Sequence, residues 1–70
     1  MYKLAISKEE FKSLLKIKGI TQKEIAEVIG VDRTYISQMT NGRCVSKLCA
    51  YAVCKAISWN LEINNLFIEK

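Results

Sequence analysis

Three thiols and a run of unopposed cations are the side chains with the most capacity for chemistry in this 70-residue sequence. Cys44, Cys49 and Cys54 fall at intervals of five. That spacing fits neither a Cys-x-x-Cys clip nor an even-numbered disulfide framework, so reduced thiols packed as small hydrophobes are expected. The chain has no His, and with it go the commonest general base and the commonest neutral metal ligand. Catalysis is not expected, and neither is a metal or a cofactor. From Arg33 to Leu61 the chain holds Arg33, Arg43, Lys47 and Lys55 and no acid, whereas seven basic residues balance seven acidic ones elsewhere. A neutral body with a cationic segment suits a surface that faces a polyanion. On charge alone, a merely solvated face fits equally well.

Seventy residues make one domain, 1–70, with no room for a second fold. Half of them are hydrophobic and 26% charged, an ordinary balance for a folded soluble chain. A core of this size contributes only ~3–5 kcal/mol of stability, and such chains often gain more by dimerising. No apolar run reaches the ~20 residues of a membrane helix. The start, Met1-Tyr2-Lys3-Leu4-Ala5-Ile6, is too short for the apolar stretch of a signal peptide. A cytoplasmic protein without a membrane partner is expected.

The elements that must position these side chains are short helices separated by glycine and capping residues. Ser7 followed by Glu10 forms a capping box, Phe11, Leu14 and Leu15 form an apolar stripe, and Gly19 can close the helix, which predicts helix 8–18. Thr21 with Glu24 repeats the device, with Ile25, Ala26 and Ile29 as the stripe and Gly30 as the stop, predicting 22–29. Asp32 can cap a third helix, 33–40, that carries Tyr35, Ile36 and Met39 and ends at Asn41-Gly42. Two short helices joined by Gly30-Val31-Asp32 make a helix-turn-helix over 22–40. Ser46 can cap a fourth helix to about Ser58, with Leu48, Cys49, Ala52, Val53, Ala56 and Ile57 on its core face. On this reading Ala50, Tyr51 and Cys54 project away from the core. Asn60 can cap a last turn through Leu61, Ile63 and Leu66. The fold class is therefore all-α, with four or five helices. Alternation of Tyr2, Leu4 and Ile6 with Lys3 and Ala5 offers a short N-terminal strand as an alternative, with Leu66-Phe67-Ile68 the place for it to pair.

From Ile20 to Arg43 the sequence resembles the helix-turn-helix of the phage repressor, Cro and XRE family. Thr21-Gln22, Ile25-Ala26, Gly30, Val31, Tyr35-Ile36-Ser37 and Asn41-Gly42 all stand at the family's spacing. The resemblance implies a lambda-repressor-like domain that binds double-stranded operator DNA, with helix 33–40 in the major groove. Residues that would then reach base edges are Arg33, Thr34, Ser37 and Gln38, while Ile36 and Met39 turn inward. Arg33 has the planar fork for guanine O6 and N7, and Gln38 the amide for adenine N6 and N7. Gln22, Tyr35, Asn41, Arg43 and Lys47 are the phosphate contacts that this placement implies, Gln22 at a helix N-terminus where free N–H groups already attract anions.

One recognition helix covers few base pairs, so a homodimer on half-sites about one DNA turn apart is expected. The apolar residues left over, Tyr51, Cys54, Trp59, Leu61, Phe67 and Ile68, are assigned to the subunit interface, with Trp59 and Leu61 alternatively completing the monomer's core. A transcriptional repressor is the resulting expectation. The competing reading is an adapter on the same fold, such as an antitoxin or an inhibitor, whose apolar end meets a different protein.

Overall fold

Each of the four longer helices begins where a side-chain oxygen takes up a free backbone N–H. A computed structural model describes residues 1–70. Helix α1 spans Lys8–Lys18, α2 Gln22–Ile29, α3 Arg33–Thr40 and α4 Lys47–Ile57. Ser7 Oγ accepts from the Glu10 amide at 3.1 Å, and the Glu10 carboxylate accepts from the Ser7 amide at 3.0 Å. The same reciprocal pair joins Thr21 and Glu24, at 3.1 and 2.9 Å. Asp32 caps α3 through the Thr34 amide at 3.0 Å, and Ser46 caps α4 through that of Cys49 at 3.1 Å. Each cap contributes ~1 kcal/mol. Between α2 and α3 the chain reverses at Gly30, whose φ of 79° lies in the left-handed region, and the amides of Gly30 and Val31 both donate to the Ala26 carbonyl at 2.9 Å.

The N-terminal strand forms. Strand β1, Tyr2–Leu4, pairs antiparallel with β2, Phe67–Glu69, in the register Tyr2↔Glu69, Lys3↔Ile68 and Leu4↔Phe67. Leu4 and Phe67 share the inner face and both are buried, whereas Ile68 remains exposed. Tyr2 also bridges to Val45, in the loop after α3, so β1 ties both ends of the chain to that loop. A short helix α5, Ile63–Leu66, runs directly into β2. Asn60 does not cap it: Asn60 Oδ1 accepts from the Ser58 hydroxyl at 2.6 Å, and the helix starts at Ile63, with Glu62 at its N-cap.

The core gathers Phe11, Ile25, Ile36, Met39, Val45, Val53, Cys54 and Phe67, all fully buried. Helix α4 is rotated from the expected face. Ala50, Val53, Cys54 and Ile57 point inward, at the spacing of one apolar stripe, while Leu48 is 78% exposed. The reason lies outside the helix. The segment after α4 folds back so that the Glu62 carbonyl accepts from the Cys54 thiol at 3.6 Å, covering the side that helix periodicity alone leaves open. Cys54 and Phe67, expected at a subunit interface, are thus interior residues of the monomer. Leu61 packs half-buried against the core, and Trp59 stands 84% exposed. No helix is long and apolar enough to cross a membrane.

Candidate nucleic-acid interface

Helix α3 has two dissimilar sides because its few apolar residues are spaced three apart. Ile36 and Met39 are fully buried against the core, which leaves Arg33, Thr34 and Gln38 exposed and Ser37 half-buried on the other side. The Thr40 hydroxyl donates to the Ser37 carbonyl at 2.6 Å, satisfying a polar group that the core would otherwise strand.

Three helices frame the outer side. Lys12 of α1, Thr21, Gln22 and Lys23 at the start of α2, and Arg33, Thr34 and Ser37 of α3 line an open groove of about 560 Å³. Three cations and no carboxylate face it, and none of its lining is hydrophobic. Positive charge is therefore not confined to residues 33–61. Counting charge along the chain set Lys12 and Lys23 against acids that stand elsewhere in space: Glu10 and Glu24 are spent on their helix caps. The hydrogen bonds from the Ser7 amide and hydroxyl hold the Glu10 carboxyl below its ordinary range, so it stays charged at its cap. The signal in the sequence was the row Lys8, Lys12, Lys16, four residues apart, which aligns cations along one side of α1. Lys3 was missed for a different reason. Strand β1 lays its side chain across Gly42, with Cε 3.6 Å and Nζ 4.0 Å from where a Cβ would sit. Its ammonium thus joins the edge formed by Asn41, Gly42 and Arg43.

The groove brings Gln22 together with Arg33, Thr34 and Ser37. Gln38, the next residue after Ser37, does not line the groove, and its Oε1 accepts from the Arg43 guanidinium. That guanidinium also lies over the Tyr35 ring, 4.8 Å from its centroid. Burial, and then a hydrogen bond with Cys49, raise the Tyr35 hydroxyl's pKa above its ordinary value, and Arg43 opposes this weakly. Tyr35 is half-buried, its ring packed against the core on one side and covered by Arg43 on the other. Asn41 and Lys47 are exposed outside the groove, Lys47 opening α4.

A second depression, about 210 Å³, is apolar and lies between α2 and α4, lined by Ile29, Val31, Ser46, Leu48, Cys49 and Ala52. No cluster of His, Cys, Asp or Glu side chains could hold a metal ion.

No curated protein and no solved structure matches the chain. A family model described as helix-turn-helix does, over residues 11–57, a span that runs from α1 to the end of α4 and includes the whole cationic groove. With α2, the glycine reversal and α3 in the order that family requires, the chain belongs to the XRE-type helix-turn-helix family of DNA-binding regulators.

Proposed function

We propose that this protein is a sequence-specific transcriptional repressor that binds operator DNA as a homodimer, with α3 in the major groove. The observation that carries this reading is the division of α3: Ile36 and Met39 are fully buried, and Arg33, Thr34, Ser37 and Gln38 are left to the outside beside an acid-free cationic groove. Arg33, Thr34, Ser37 and Gln38 then read base edges. Gln22, Lys12 and Lys23 grip the backbone at the start of α2, and Asn41, Lys47 and Lys3 grip it beyond α3. The protein acts by binding, without catalysis. Repression needs only occupancy of the operator. The cytoplasm is the site of action, where the three free thiols stay reduced.

A homodimer supplies the second half-site that an eight-residue helix cannot read alone. Tyr51, Trp59 and Ile68 are exposed apolar residues of the monomer that a second copy would cover, with Leu48 beside them in kind. The test is selection of binding sites from random duplexes by the purified protein at fixed salt. A site with two related half-sites about one DNA turn apart is the expected result. Equal affinity for every sequence would refute sequence-specific regulation.

The adapter reading has one observation in its favour: Leu48 stands exposed at the rim of an apolar cleft that α3 does not use. Co-purification of a neighbour-encoded protein that is lost in Leu48→Lys, with DNA binding intact, would favour that role.

A further inference from the structure

Arg43 stands five residues beyond Gln38, outside α3, yet three separate holds fix it to that helix. Its amide donates to the Gln38 carbonyl at 3.0 Å, its guanidinium lies 4.8 Å from the centre of the Tyr35 ring, and one of its N–H groups donates to Gln38 Oε1. The loop carrying it is anchored two residues later by the bridge between Val45 and Tyr2. A guanidinium has no acceptor, so the oxygen of the Gln38 amide must be the end turned toward it. The amide is thereby oriented before any DNA arrives.

We propose that Arg43 is a positioning residue that sets the base preference of Gln38, which it does by turning the amide so that the pair offers only donors to the groove. The proposal rests on the reading that α3 enters the major groove. A free glutamine pairs with adenine by using both ends of its amide, the oxygen accepting from N6 and the nitrogen donating to N7. With the oxygen already held, the Nε2 hydrogens and the remaining N–H groups of Arg43 face the base together. Guanine presents two acceptors there, N7 and O6, and suits a donor-only reader. Adenine places its amino donor against donors, and cytosine offers a donor as well. Gln38 held by Arg43 therefore selects guanine where Gln38 alone selects adenine. Stacking on Tyr35 makes the arrangement specific to arginine, because lysine has neither the planar fork nor five donors.

The test is site selection with the wild-type protein and the variants Gln38→Ala, Arg43→Ala and Arg43→Lys, followed by affinities for duplexes differing only at the position that Gln38 reads. Gln38→Ala identifies that position as the one whose preference it abolishes. Guanine should exceed adenine there by about tenfold in the wild type, and Arg43→Ala should reverse the order. Arg43→Lys keeps the charge and should bind random DNA like the wild type while losing the preference for guanine. Adenine preferred by the wild type, or an Arg43→Ala loss that is equal for all four bases, would overturn the proposal and leave DNA binding standing. Absence of any selected site in the wild type would overturn both.

Discussion

Tyr2 and Val45 exchange two backbone hydrogen bonds, each 2.7 Å long, across 43 positions of sequence separation. Val45 is fully buried and follows the loop that carries Asn41, Gly42 and Arg43, so β1 fixes the segment immediately beyond α3. Tyr2→Pro removes the donor of one of these bonds. We expect a loss of ~1–3 kcal/mol, a large part of the stability of so small a domain, read as a lower urea midpoint with an unchanged slope.

With α3 in the major groove as proposed, the groove's cations would act on phosphates without regard to sequence. Lys12→Gln should weaken binding to operator and random duplexes alike and reduce the slope of log affinity against log salt by about one unit. Lys55→Gln is the control, since its ammonium already donates to the Trp59 carbonyl at 2.8 Å and lies 5.4 Å from the Tyr51 ring centre, away from the groove. An unchanged slope in Lys12→Gln would remove α1 from the interface.

Gly30 sets the direction in which α3 leaves α2. A Cβ at this position would meet no atom within 4 Å, so the cost of Gly30→Ala is the left-handed backbone alone. That cost is ~1–2 kcal/mol, to be measured by chemical denaturation. A neutral or stabilising result would mean that the turn does not hold its φ of 79° in solution.

Burial pushes the Cys54 thiol up to about 11 from an ordinary 9.0, and neighbouring Lys55 only partly offsets this. Its thiol is therefore neutral at physiological pH, and at pH 8 iodoacetamide should modify Cys44 and Cys49, which are half-buried, well before Cys54. Because the folded state favours the protonated form, this contribution to stability is complete below pH 9 and is lost as the pH rises toward 11. Mass spectrometry after timed labelling, and urea midpoints from pH 8 to 11, check both parts. The midpoint should fall less steeply over that range in Cys54→Ala.

Trp59 is the single tryptophan and is 84% exposed in the monomer. Dimerisation over this end should shift its emission to shorter wavelength as protein concentration rises, in step with the mass from light scattering. A dimer that forms with unchanged emission would place the interface elsewhere, with the outward residues Leu48 and Tyr51 of α4 as the next candidates.

How much of this was legible in the sequence follows the range of the forces involved. Ser7 with Glu10, Thr21 with Glu24, Asp32, Ser46 and the glycine stops act within one turn of chain, and they set the limits of α1, α2 and α3 where the sequence places them. The spacing of Ile36 and Met39 likewise decides which side of α3 faces outward, and the helix-turn-helix pattern from Ile20 to Arg43 carries the family. What α4 turns inward could not be read in that way, because Cys54 is covered by a segment that returns from Glu62, and Phe67 is buried by pairing with Leu4 from the far end of the chain. The meeting of Lys12 with Arg33, and of Arg43 with Gln38 and Tyr35, also arises only on folding. Local hydrogen bonding and periodicity thus determined the four longer helices, whereas long-range packing decided which charges share a groove and which apolar residues remain exposed.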